Sequence, residues 1–169
     1  ASVPFMRNAR NSDDYSNTND VVREVLDSYA STGTEFAIVC CLYPTAPFVT
    51  PEALREAKEA FVDQAANSLI PVVRYGFPPQ RGMVIRDGTL RYSNPELADM
   101  RSQDLEPIYH DSGQFYLCRV SSFYGCGRLA APPTVPYEVP ESAVQDIDTE
   151  EDWRIAELKF RIMHGGGLS

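Results

Sequence analysis

Two carboxylates, Asp146 and Asp148, stand two residues apart in the run Gln145-Asp146-Ile147-Asp148-Thr149-Glu150-Glu151-Asp152-Trp153. In extended backbone that spacing points both side chains to the same side. Two carboxylates so placed can share a hard cation such as Mg²⁺, which keeps several waters and accepts substrate phosphates as further ligands. Thr149 is placed to cap a following helix, and Glu150, Glu151 and Asp152 favour its positive N-terminal end. The run therefore reads as a metal site at a strand-to-helix junction, or as an acidic helix cap that holds no metal. Taken alone, the stretch leaves both open.

Other residues bring complementary chemistry. Of the 15 basic residues only Lys58 and Lys159 are lysines. The arginine guanidinium is a planar fork that binds carboxylate and phosphate bidentately, and Arg81 and Arg101 are candidates for that task. Histidine is the side chain whose ordinary range lies nearest neutrality, so His110 could serve as a general base, or it could simply be hydrogen-bonded beside Asp111.

The elements that must position these groups follow from periodicity. Thr18 or Asn19 can cap a helix that carries Val21, Val22, Val25, Leu26 and Tyr29 at helical spacing. The continuous apolar run from Phe36 to Leu42 is that of a strand buried on both faces of a parallel sheet. After the loop Tyr43-Pro44-Thr45-Ala46-Pro47-Phe48, Thr50-Pro51 starts a second helix with Leu54, Ala57, Phe61 and Ala65 along one side. Ser68 to Val73 is a second strand, and Asp87-Gly88 marks a hairpin turn between Met83-Val84-Ile85 and Leu90-Arg91-Tyr92. Gln114 to Val120 is a further strand, 125–140 a loop, and Val144 to Ile147 a short last strand. A closing helix over 150–163 is expected to turn Trp153, Ala156, Phe160 and Met163 inward. This order is α/β grammar, and in open α/β sheets ligands gather beyond the carboxyl ends of strands. The loop after Leu42, the strand near Gln114 and the Asp146–Asp148 run should meet there, with Arg81 and Arg101, around a phosphorylated or carboxylated ligand.

A length of 169 residues fits one domain, 1–169, with a real core. No apolar run approaches the roughly 20 residues of a membrane span, so no membrane partner is expected. The net charge of -9 argues against a nucleic acid polymer as partner, since a phosphate backbone wants a basic surface. Cys40, Cys41, Cys118 and Cys126 have neither zinc nor disulfide spacing and read as buried free thiols of a reducing cytoplasm.

Four segments together resemble the acylneuraminate cytidylyltransferase family, enzymes that activate nine-carbon acidic sugars as CMP conjugates. They are Asp13-Asp14-Tyr15-Ser16, the run Cys40 to Phe48, Arg101 to Pro107 with Tyr109 to Tyr116, and Val144 to Trp153. The resemblance implies a Rossmann-like nucleotide-diphospho-sugar transferase fold, with a mostly parallel sheet, helices on both faces and a hairpin insertion. It implies that Asp146 and Asp148 bind Mg²⁺, and that Tyr43, Pro44 and Thr45 lie beside the nucleotide. Arg101, Gln103, Gln114 and Tyr116 would contact the sugar acid, whose carboxylate needs a cationic partner if buried. The substrates would be CTP and a nonulosonic acid of the sialic or pseudaminic type, pyrophosphate the second product, and the assembly a homodimer through the hairpin region at 83–120.

One family feature has no counterpart. Members begin with a strand and a Gly/Ser/Arg/Lys-bearing loop that cradles the triphosphate, and nothing in this chain resembles it. The expectation is a fold lacking its first strands and a chain with little or no transferase activity by itself. The alternative is a non-catalytic remnant that binds sugar acid or a partner. A glycosyltransferase would also use Asp-x-Asp, but there the pair usually ends a middle strand rather than preceding the last helix.

Overall fold

Helix α1 (Thr18–Ser31) is capped not by Thr18 or Asn19, as was expected, but by Asn17, whose side chain accepts from the Asp20 backbone N–H. Val22 and Leu26 form its buried stripe. The computed structural model describes residues 3–13 and 16–165. Their Cα framework separates into two compact units, Ala1–Pro71 with Gly113–Tyr137, and Val72–Ser112 with Glu138–Ser169.

In the first unit α1 leads to strand β1 (Ile38–Leu42), helix α2 (Pro51–Asp63) and the start of strand β2 (Ser68–Arg74). Thr50 caps α2 with Pro51 at the tolerated first position, and Ala57 and Phe61 are buried. The helix ends sooner than its apolar spacing suggested. Ala65 adopts φ 49° and faces solvent, and Ala66 takes the core position instead. Strand β6 (Phe115–Arg119) then lies between β1 and β2, antiparallel to both.

The α/β class is as expected, but the mostly parallel sheet is not what forms. The pairings β1–β6 and β2–β6 are antiparallel. Since β6 opposes both, β1 and β2 run the same way, as a helix-connected pair should. The connection was legible; the later strand inserted between its two ends was not. A continuous apolar run also failed to guarantee two buried faces, because β1 is an edge strand whose Leu42 is 50% exposed.

Residues 125–140, expected to be loop, hold the end of helix α3 (Val120–Cys126) and strand β7 (Thr134–Glu138). The sequence Val-Ser-Ser-Phe-Tyr-Gly-Cys shows no helical stripe; α3 is held by the single buried Phe123 and closed by Gly127 at φ 75°. Period-2 alternation along β6 divides the core in two. Cys118 joins Val22, Leu26, Phe123, Leu129 and Ala131. Phe115 and Leu117 join Ala57, Phe61, Ala66 and Leu69.

In the second unit the end of β2 pairs antiparallel with β5 (Tyr109–Asp111). Strands β3 (Met83–Arg86) and β4 (Thr89–Tyr92) form the expected hairpin, turning through Asp87 and Gly88 at φ 52° and 73°. Two positive φ angles in a two-residue loop match the right-handed strand twist. Helix α4 (Glu150–Met163) also has its expected bounds. Of its apolar residues only Ala156 is buried, whereas Trp153, Phe160 and Met163, expected inward, are exposed. A 3.6-residue stripe shows which face is apolar, not that another element lies against it.

All four cysteines are free, but only Cys118 is buried, while Cys40 and Cys126 are exposed. Cys40 sits on the edge strand and Cys126 at the end of α3. Burial, the largest cause, pushes the Cys118 thiol up to about 11. Phe61→Ala is expected to destabilise the chain by about 3–5 kcal/mol in urea denaturation, and an effect below about 1 kcal/mol would contradict the packing described. At pH 8 a disulfide reagent should modify Cys126 in the folded chain and Cys118 only on unfolding; early modification of Cys118 would count against its burial.

Candidate functional site

In the first unit the loop after β1 opens a groove of about 530 Å³. Tyr43, Pro44 and Thr45 line it together with Thr18, the apolar face of α1 and the open side of β1. Tyr43 is fixed by three contacts. Its N–H donates to the Gln114 carbonyl at 2.9 Å, its hydroxyl lies 2.9 Å from Thr18 Oγ1, and its ring meets Tyr116 edge-on at 5.5 Å. Tyr43, Gln114 and Tyr116, separated by some seventy positions in sequence, are thus neighbours because β1 and β6 are paired in register Leu42↔Phe115. Thr18 escaped the sequence reading, which assigned it a capping role. Asn17 caps instead, and the Thr18 hydroxyl is left for Tyr43. Of the Asp13-Asp14-Tyr15-Ser16 segment, Asp14 and Tyr15 lie outside the described residues.

The second unit holds a groove of about 350 Å³ lined by Arg74, Tyr75, Ser102, Gln103 and Glu106 among others. Gln103 is therefore at a concave surface; Arg101 precedes the same short turn, Ser102–Asp104, and is exposed. Arg81 donates from Nη1 to Ser102 Oγ at 3.4 Å, while its buried Nε has no partner. A guanidinium held in this way, with no carboxylate on it, retains donors for an anion. Arg74 and Tyr75 had no sequence signal, since they simply end a strand. The His110 ring packs against Tyr75 at 4.8 Å, and its Nδ1 lies 2.8 Å from the Asp111 carbonyl oxygen.

Asp146 and Asp148 also belong to the second unit. The short strand expected at Val144–Ile147 is absent; the segment is irregular and follows a single 3-10 turn, Glu141–Ala143. Val144 itself has extended backbone, φ -139° and ψ 138°. Polar groups of the segment and of the residues after it bond to the start of α4. Gln145 Nε2 donates to Asp152 Oδ1 at 3.3 Å, and Asp152 Oδ2 accepts from the N–H groups of Asp148 and Thr149. Thr149 Oγ1 in turn accepts from the Asp152 N–H, completing a capping box. Asp152 is thus spent on the cap, and the Thr149 hydroxyl, its largest influence, holds its carboxyl below the ordinary 3.8.

Asp146 and Asp148 are exposed, and among the described residues no hydrogen bond or ion pair engages either carboxylate. Neither do the described residues gather three or more His, Cys, Asp or Glu side chains into a metal cluster. Two unengaged oxygen donors open to water suit Mg²⁺, which takes one or two carboxylates and fills its octahedron with water and phosphate. They do not suit a closed structural zinc.

No protein-family model matches the chain. Its fold is that of a CMP-sugar synthetase. The structure of CMP:2-keto-3-deoxy-manno-octonic acid synthetase complexed with CTP superposes with a TM-score of 0.52, covering 90% of this chain and 70% of that one at 14% identity. Sequence carries the relation further. The pseudaminic acid cytidylyltransferase of Campylobacter jejuni is 30% identical over 97% of this chain and 71% of its own length. The CMP-N,N'-diacetyllegionaminic acid synthase of Legionella pneumophila is 31% identical over 93% of this chain and 68% of its own. The chain belongs to the acylneuraminate cytidylyltransferase family of nucleotidyltransferases. Among the described residues no helix is long and apolar enough to cross a membrane.

A carboxyl whose folded value is lowered contributes stability above its unfolded value and loses it as pH falls through the folded one. Asp152→Asn should therefore speed amide exchange at Thr149 near neutral pH. The gap from the unsubstituted chain should close as pH drops below the ordinary 3.8. A gap that persists undiminished in acid would show that the Asp152 charge is not what holds the cap.

Proposed function

We propose that this chain is a CMP-nonulosonic acid synthetase, joining CMP from CTP to a pseudaminic- or legionaminic-type sugar acid. The observation that carries this reading is similarity along nearly its whole length to two enzymes named for those two acids. The oxygen of the sugar's anomeric hydroxyl attacks the α-phosphorus of CTP and gives up its proton. The new P–O bond forms as the bond to the bridging oxygen breaks, and pyrophosphate leaves.

The residues take roles suited to their chemistry. Tyr43, Pro44 and Thr45 contact the nucleotide from the first unit's groove, with Tyr43 held by Thr18. By the family resemblance Arg101, Gln103, Gln114 and Tyr116 serve the sugar acid; amide and guanidinium donors match its carboxylate and acyl groups. Arg81, whose Nη1 lies on Ser102 Oγ, is a further guanidinium suited to the same carboxylate. His110 leaves Nε2 for a ligand, since Nδ1 is taken by a carbonyl. Asp146 and Asp148 hold Mg²⁺. Bound there, the cation would neutralise triphosphate charge that a chain of net charge -9 otherwise repels.

Two further features complete the reading. The hairpin presents Ile85 and Leu90, 75% and 61% exposed, which supports a homodimer formed through it. The free thiols and the use of CTP support a cytoplasmic location.

The protein carrying this chain, given CTP, Mg²⁺ and pseudaminic or legionaminic acid, should release pyrophosphate and yield the CMP conjugate, read by mass spectrometry. Asp146→Asn and Asp148→Asn should each lower kcat/KM on the order of 100-fold or more. Pyrophosphate release that ignores which acid is supplied would sink the assignment, and absence of turnover with every acid would leave the non-catalytic alternative standing.

A further inference from the structure

Lys159 is one of only two lysines in the chain, and among the described residues its charge meets no carboxylate. From α4 its Nζ donates to the Val144 carbonyl at 2.6 Å and to the Glu141 carbonyl at 3.1 Å. An ammonium on two main-chain oxygens makes charge-assisted hydrogen bonds, stronger than neutral ones. These two bonds fix the backbone at the point where the chain leaves the Glu141–Ala143 turn and enters the Asp146–Asp148 segment.

The far end of that segment is fixed differently. Asp152 Oδ2 accepts from the Asp148 and Thr149 N–H groups at 3.3 and 2.9 Å. The segment is therefore tied to α4 at three places, by Lys159 before Gln145, by Gln145 Nε2 on Asp152 Oδ1 at 3.3 Å, and by Asp152 from Asp148 onward. Asp146 lies between the ties. Its carbonyl accepts from Gln145 Nε2 at 3.1 Å, the same amide that makes the 3.3 Å bond to Asp152, so its own hold is indirect and rests on a long neutral donor. If the Lys159 tie is lost, Asp148 stays capped while Asp146 is held only through the Gln145 side chain. A pair of ligands binds a cation well only when their separation is fixed beforehand, because otherwise binding must restrict the chain as well.

We infer that Lys159 is the positioning residue of the aspartate pair: through the Glu141 and Val144 carbonyls it sets the separation of Asp146 and Asp148, and with it their affinity for a divalent cation. The inference rests on reading the pair as a cation site. Nothing in the sequence marks Lys159, which falls on the polar part of a helix more than ten residues from the pair.

The test uses Tb³⁺, a hard cation that prefers oxygen ligands and emits when excited through a nearby indole. Trp153, the only tryptophan of the chain, stands in the first turn of α4 next to the pair. Lys159→Met keeps the apolar stem and removes both hydrogen bonds; Lys159→Gln is the second variant should the first not fold; Lys159→Arg retains the charge. Met and Gln are expected to weaken Tb³⁺ binding by about 10- to 100-fold, and Arg to restore most of it. In the metal-free chain the amides of Gln145, Asp146 and Ile147 should exchange faster in the Met variant, while that of Thr149 keeps its rate.

Unchanged exchange at these amides overturns the positioning role. Faster exchange with undiminished Tb³⁺ affinity overturns its link to the pair. A Tb³⁺ signal that survives Asp146→Asn together with Asp148→Asn overturns the cation-site reading itself, and is recognised apart from the other two because it appears with Lys159 in place.

Discussion

The first unit depends on a single strand being threaded between two others. β6 opposes β1 and β2 at once, and its alternate residues feed the two core clusters, Cys118 on one side, Phe115 and Leu117 on the other. A strand so placed satisfies two ladders of backbone groups and fills two faces, which is why Phe115 and Cys118 are wholly buried. The same registry sets the groove. Because Leu42 pairs with Phe115, the Tyr43 N–H reaches the Gln114 carbonyl, and the loop residues proposed for the nucleotide are held against those proposed for the sugar acid.

Polar bonding does in the second unit what apolar packing does in the first. Its buried hydrophobic residues are few, Leu105, Val144 and Ala156 prominent among them. Order around the aspartate pair comes instead from a capping box, a glutamine and a lysine, all bonded to main-chain or carboxylate groups. That division suits chemistry. Carboxylates proposed for a hydrated cation must stay in water, and groups that stay in water are positioned by hydrogen bonds to backbone rather than by burial. The acidic run accordingly serves two ends: Asp152 is consumed by the helix start, and Asp146 and Asp148 are not.

Much of this was legible. The bounds of α4, the cap of α2 and the hairpin at Asp87-Gly88 follow from local rules, because a cap or a positive-φ turn is decided by a few adjacent residues. So was the family, since four separated motifs in order are more specific than any one. The misses share a cause. The parallel sheet, the doubly buried β1 and the inward Trp153 and Phe160 were all statements about what lies against an element, and periodicity describes only the element itself. α3 and β7 were overlooked for the converse reason: Pro- and Ser-rich stretches have weak local preference and take their structure from neighbours.

The sequence by itself determined much of the inventory: helices α1, α2 and α4, strands β1, β2 and β6 and the β3–β4 hairpin, that two aspartates share a run with a helix cap, and that the chain carries the motifs of a CMP-sugar synthetase. Those are properties of composition and of neighbours along the chain. Tertiary structure alone decided that Thr18 holds Tyr43, that Gln114 and Tyr116 stand beside it, and that Lys159 grips the backbone ahead of Asp146. Contacts between residues 15 to 73 positions apart depend on strand register and helix placement, which the burial of whole faces fixes and no local pattern records.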